Sequence, residues 1–186
     1  MKRRNFILTA LTFSHLAVLG KIIKSPGRAA RAFKVNRGEA RFGVSYKMKG
    51  VTLNTLDIKI SGKDTENELA VFEQTGLTPK GGPPLHIHLY QDEWFYVMEG
   101  EYLFQVGNEK YKMQPGDTIF LPRNVQHAFV QLTQKGKILV SYLPAGRIEA
   151  FFALTDTWSL PPSQQVIAKA FADHDMKVVG PPLQAD

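Results

Sequence analysis

Gly81-Gly82-Pro83-Pro84-Leu85-His86-Ile87-His88-Leu89-Tyr90-Gln91-Asp92-Glu93 is the stretch on which the reading of this chain turns. His86 and His88 stand at i and i+2. On a strand such a pair points to one face, because side chains alternate with a period of two. Glu93 follows shortly after, and a third histidine, His127, lies further on. Imidazoles and a carboxylate converging from neighbouring strands suit a divalent transition ion. Imidazole takes Zn, Cu, Fe and Ni, and an oxygen ligand adds Mn. His86, His88, Glu93 and His127 are therefore the candidate ligands. The imidazoles must be neutral to coordinate, with outer hydrogen bonds holding each tautomer. Three His and one Glu leave part of an octahedral ion's sphere open for water, oxygen or substrate, which separates a catalytic ion from a closed structural one.

Outward from this stretch the chain reads as short strands between turns. Leu56, Ile58 and Ile60 alternate with Asp57 and Lys59, which predicts a half-buried strand within 51–60. Ser61-Gly62-Lys63-Asp64 is a turn signal before a strand over 69–74. Further strands are expected over 93–98, 102–106, 110–113, 118–121, 127–132 and 137–143. Gly107-Asn108 suits a tight hairpin, and Pro115-Gly116 a type II turn with Gly at the positive φ. Such a succession implies an all-β sandwich or barrel. If Glu93 faces the ion, Phe95 and Val97 face inward beside it as pocket candidates, and Trp94 and Tyr96 face outward. Phe104, Phe129 and Gln131 are further pocket candidates. Asp92 is expected to face away from the site. Helix is expected only near the end: a short one over 147–154, and a second capped by Ser163. The apolar stripe of the second is Val166, Ile167, Ala170 and Phe171, packed on the barrel wall. His174, between Asp173 and Asp175, reads as a solvated loop residue.

The chain of 186 residues suits one domain plus extensions, and 44% hydrophobic with 22% charged residues is ordinary for a globular protein. The net charge of +6 is a local effect. Seven of the 23 bases lie in the first 32 residues, which hold no acid, leaving 16 bases against 17 acids. A nucleic-acid-binding face is therefore not expected. The absence of cysteine excludes disulfides, thiolate ligands and a cysteine nucleophile. No serine triad, phosphate loop or dinucleotide fingerprint is found, and no organic cofactor is expected. Lys2-Arg3-Arg4 before the apolar run from Phe6 to Gly20 predicts a signal peptide, since a spanning helix needs ~20 apolar residues. Arg3-Arg4-Asn5-Phe6 resembles the twin-arginine export motif, so the protein is expected to be exported to the periplasm. Ala30-Arg31-Ala32 is the nearest cleavage-like site, and a retained N-terminal membrane anchor is the alternative. The organisation is then 1–32 signal peptide and linker, 33–160 barrel with N-terminal strands, and 161–186 C-terminal helix and tail. The basic stretch 21–40, with Pro26 and Gly27, reads as linker.

The motifs resemble those of the cupins. The Gly- and Pro-rich approach, His86-Ile87-His88, Glu93 and Gly100 match that family's first motif. Gly116, Pro122 and His127 match its second. Asn124 stands where Gly is usual, and Asn tolerates a left-handed backbone well. Gln131 stands where Asn is usual. The match covers roughly residues 70–143. The tail 163–183 also resembles the end of single-domain, quercetinase-like cupins. The resemblance implies a cupin-type jelly-roll β-barrel with a short C-terminal helical extension. It implies one divalent metal (Fe, Mn, Ni, Cu or Zn), a small-molecule substrate and a homodimer. It also implies a metal-dependent dioxygenase for a small aromatic or enolisable substrate, in which Glu93 either stays a ligand or swings off to act as the catalytic base. A non-redox metal-dependent isomerase or hydrolase, and a non-catalytic small-molecule-binding module, remain open, since one fold carries many chemistries.

Overall fold

The computed structural model describes residues 32–48, 53–159 and 161–185. The signal peptide and twin-arginine readings lie outside the described residues. Eleven strands and two helices follow in chain order: β1 (Ser45–Met48), β2 (Asn54–Ile60), β3 (Ala70–Gly76), β4 (Pro84–His88), β5 (Asp92–Glu99), β6 (Tyr102–Val106), β7 (Glu109–Met113), β8 (Thr118–Leu121), β9 (His127–Gln131), β10 (Gly136–Leu143), α1 (Ile148–Asp156), α2 (Gln164–Ala172) and β11 (Met176–Pro182). The strands form two antiparallel sheets. One runs β1-β2-β3-β10-β5-β8 and the other β11-β4-β9-β6-β7.

Alternation builds the space between the sheets. On β2, Leu56 and Ile58 turn inward and are buried, while Asp57 and Lys59 are only half-buried. On β5, Phe95 and Val97 are buried beside Glu93, and Tyr96 on the opposite face is exposed. Phe72, Tyr102, Phe104, Ile138 and Val140 complete the core. Burying each such side chain contributes ~1.5–3 kcal/mol. The expected strands are present, with ends differing by a residue or two. Gly116 has φ 99°, as the turn at Pro115-Gly116 requires, and Asn124 has φ 64°, so Asn does occupy a left-handed position.

Three local expectations are corrected. The tail after the second helix is strand β11, which pairs with β4 through Met176↔His88 and Val178↔His86. Without it β4, the strand carrying two candidate ligands, would be a sheet edge. His174 is buried, packs edge-to-face on Phe151, and donates from Nδ1 to the carbonyl of Ala170 at 2.7 Å. It is neither solvated nor part of the ligand cluster. On α2, Ala170 and Phe171 are buried and Ile167 is half-buried, but Val166 is exposed, so the stripe is narrower than expected. Ser163 does cap α2, accepting from the Val166 N–H at 3.3 Å. The described part of the 21–40 stretch lies against the barrel: Arg41 sits 3.9 Å over the Phe33 ring, and Lys59 donates to the Glu39 carbonyl.

Both ends of α1 are fixed to the barrel. Glu149 accepts from the Gly62 N–H at 2.6 Å and the Ser61 hydroxyl at 2.9 Å, while Asp156 accepts from the Lys47 N–H at 2.7 Å. That places Phe151 and Phe152 over the open end between the sheets.

Candidate metal centre

The four predicted ligands meet between the sheets. His86 and His88 come from β4 and His127 from the neighbouring β9, where His127 pairs directly with His86. Glu93 comes from β5 in the other sheet, between Leu121 on β8 and Tyr142 on β10. All four are at least nine-tenths buried. One ligand atom from each lies within 4.8 Å of all the others.

Each imidazole is held at Nδ1. His86 donates to the Pro84 carbonyl at 2.8 Å, His127 to the Val125 carbonyl at 3.0 Å, and His88 to the Gln91 side-chain oxygen at 3.1 Å. These acceptors carry no proton, so the ring proton sits on Nδ1 and the Nε2 lone pairs are free. His127 Nε2 is buried without a hydrogen-bond partner, although Glu93 Oε2 is 2.9 Å away. His88 Nε2 is 3.5 Å from Glu93 Oε1. Lone pairs crowded together in a buried site are costly. A divalent cation among them removes the cost, so the donor set fits such an ion.

The electrostatics agree. Burial, with the neighbouring imidazoles, holds His86 well below its ordinary value, and burial likewise lowers His88. Both are neutral, as ligands must be. Burial works against the Glu93 charge, and the His88, His127 and His86 rings lower its carboxyl when they carry a proton; with the rings neutral, a cation in the cluster takes that part. Glu93 is therefore the anionic ligand.

Several supporting residues were not singled out in the sequence. Gln91 fixes the His88 tautomer and is itself held by the carbonyls of Pro144 and Ala145. Burial and the neighbouring Glu93 carboxylate hold the Tyr142 hydroxyl well above its ordinary value, and the two residues are register partners across β10 and β5. The Asn124 N–H donates to the His88 carbonyl at 2.8 Å, tying the end of β4. Asp92 faces away, as expected, paired with Arg123 at 2.6 Å.

A cavity of about 70 Å³ adjoins the cluster and includes His86, His88 and Glu93 in its wall. Its apolar lining includes Phe95, Phe129, Phe151, Phe152, Trp158 and Phe171. Phe171 also packs edge-to-face on His86, at 5.2 Å between ring centres. Of the pocket candidates read from the sequence, Phe95 and Phe129 line this cavity. Val97, Phe104 and Gln131 do not. Val97 and Phe104 are core. Gln131 packs against Gly76 and Gly136 and donates to the Thr133 carbonyl at 2.7 Å. Strand parity pointed them inward, but inward positions divide between core and cavity according to what closes over each end.

Residues 75–142 match the family model described as Cupin domain. The chain is also 31% identical over 91 residues to the quercetin 2,3-dioxygenase of Bacillus subtilis, covering 48% of this chain and 26% of that one. Residues 75–142 are a cupin domain. The match spans about a quarter of the length of this curated relative. Among solved structures, an RmlC-like cupin from Shewanella frigidimarina is similar with a TM-score of 0.46 and 22% identity, covering 54% of this chain and 83% of that one. A cupin-superfamily sugar phosphate isomerase from Silicibacter pomeroyi is similar with a TM-score of 0.48 and 20% identity, covering 59% and 74%. For this cupin, the buried cluster of His86, His88, Glu93 and His127 fits the superfamily's divalent-metal site.

Proposed function

We propose that this cupin is a metal-dependent dioxygenase for a small aromatic or enolisable substrate. The observation that carries the reading is the convergence of three free Nε2 lone pairs and the Glu93 carboxylate beside a largely aromatic cavity. The similarity to quercetin 2,3-dioxygenase supports it. His86, His88, Glu93 and His127 would hold the ion, which supplies Lewis acidity and, if redox-active, access to oxygen chemistry.

The chain's own residues have defined parts. Glu93 is the sole carboxylate among the described residues lining the cavity, so it is the group placed to take a proton from a substrate hydroxyl or enol. Tyr142 is the register partner of Glu93, and its hydroxyl is the group placed to orient that carboxylate. The rings of Phe95, Phe129, Phe151, Phe152 and Phe171 exclude water and stack on a planar substrate. At about 70 Å³ the cavity is small beside the ~300–1,000 Å³ usual for drug-sized ligands. A single ring or a short diketone therefore suits it better than a flavonol.

The test is metal content followed by oxygen uptake. The purified protein should carry about one transition ion per chain, and a His86→Ala/His127→Ala double variant should carry none. The loaded protein should consume oxygen with a catechol or a small β-diketone. Zn as the only ion taken up, with no oxygen consumed by any metal form, would overturn the dioxygenase reading.

Two further parts of the reading concern placement and assembly. The basic start and apolar run support export to the periplasm. Efficient export of an Arg3→Lys/Arg4→Lys variant would remove the twin-arginine route. Edge strand β8 exposes Phe120, and neighbouring β5 exposes Tyr96 and Met98, which supports a homodimer across that edge. Sedimentation of a Phe120→Glu variant as a monomer, against a wild-type dimer, checks it.

A further inference from the structure

The cavity wall holds polar side chains outside the candidate ligand set, among them Asn54, Gln74 and Thr155. Gln74 on β3 is 7% exposed and lines the cavity. It points inward with Phe72, while Glu73 and Thr75 on the other face are half-buried. No hydrogen bond joins its carboxamide to another described residue, and its amide atoms are not fully buried, so the group opens onto the cavity. The other buried glutamines differ. Gln91 is occupied by His88 and two backbone carbonyls, and Gln131 by the Thr133 carbonyl. Thr155, also in the cavity wall, donates to the Phe152 carbonyl. In a wall otherwise lined largely by aromatic and aliphatic side chains, a carboxamide opening onto the cavity is suited to a polar atom of a ligand. Leu56, its register partner on β2, is one of those aliphatic side chains.

We infer that Gln74 is a ligand anchor: it hydrogen-bonds a neutral hydroxyl or carbonyl on the part of a substrate remote from the His86–His88–Glu93 cluster. This rests on the metal-centre reading for the other end of the ligand. The sheet places the two ends apart. Glu93 and Gln74 lie on strands separated by β10, with Glu93 opposite Tyr142 and Gln74 opposite Ile138. A carboxamide both donates and accepts and carries no charge, so it selects hydroxyl, carbonyl or amide groups over carboxylates or ammonium groups. The ligand class is a small, mainly apolar molecule with metal-binding oxygen at one end and one neutral polar group at the other. A site built to hydrogen-bond such a group rejects an analogue that lacks it, because its own polar atoms are then left unpaired.

Two measurements test this, using the full chain and a Gln74→Leu variant. The first is thermal melting of the metal-free protein. A carboxamide without a protein partner predicts that the variant melts higher by roughly 2–4 °C. A lower melting temperature would show that Gln74 is structural and overturn the anchor. The second is binding of 4-(hydroxymethyl)catechol and its isostere 4-ethylcatechol to Co(II)-loaded protein, followed by the visible spectrum. Wild type should prefer the hydroxymethyl compound about tenfold, and the variant should lose or reverse the preference. Equal binding of both catechols by wild type and variant overturns the anchor and leaves the metal centre standing. Failure to take up Co(II), or to bind either catechol, sinks the metal-centre reading instead, and the melting temperatures still decide whether Gln74 is structural.

Discussion

Tyr142 and Glu93 face each other across the β10–β5 pairing, and burial, together with the carboxylate, raises the phenol's pKa. Replacing Tyr142 by Phe leaves its ring contacts with Phe72 and Phe152 in place and removes only the hydroxyl beside the carboxylate. Outer groups that orient metal ligands are worth ~10–100-fold in affinity, so Tyr142→Phe should weaken metal binding about tenfold with little change in fold. Competition titration against a chromophoric chelator, with circular dichroism as the control, measures it. The neutral histidines set a pH dependence. His86 and His88 are lowered from 6.5 in the folded protein. As pH falls below 6.5 the unfolded chain takes up protons that the folded sites refuse, and stability declines toward the folded values. The urea midpoint of the metal-free protein should therefore fall between pH 7.5 and 5.5, and a flat profile would contradict buried neutral imidazoles. The ligand residues were legible because the i, i+2 histidines and the nearby Glu are local. Tyr142 was not, because only long-range strand pairing brings it to Glu93.

Among the elements, β4 carries two candidate ligands and is held on one side by β9 and on the other by β11. On the β9 side the approach is close. A Cβ on Gly82 would stand 1.8 Å from the Phe129 carbonyl oxygen. Gly82→Ala must push the approach to β4 away from β9, at about 3 kcal/mol, and should also lower metal occupancy. Chemical denaturation and elemental analysis of one preparation check both. On the β11 side, Met176 is buried opposite His88, and Met176→Ala should cost ~2 kcal/mol or more. The central strands were readable from alternation and turn residues. β11 was not, because Val178-Val179-Gly180-Pro181-Pro182 offers little alternation and its Gly and Pro residues argue against a strand. It forms because β4 needs a neighbour. Val166 shows the converse: its helical spacing was right, but the barrel wall reaches only Ala170, Phe171 and part of Ile167.

The whole molecule is two sheets joined at the centre by side chains from both, three histidines from one and Glu93 from the other. An ion held there would crosslink the sheets. Loading at a hundred times the dissociation constant stabilises by ~2.7 kcal/mol, so chelation should lower the melting temperature by roughly 5–10 °C. Calorimetry with and without chelator, alongside the His86→Ala/His127→Ala variant, gives the comparison, and the variant should show no difference. The amino-acid order alone specified an all-β barrel, a basic segment confined to the N-terminus, and four ligand-type residues, because periodicity, local charge and short spacings are properties of contiguous chain. The cavity's size, the closure of its mouth by α1 and α2, the place of Gln74 on the cavity wall and the edge cover of β11 came from packing. Each depends on which distant segments share a surface, and that is set by the docking of the two sheets and the helices that close them.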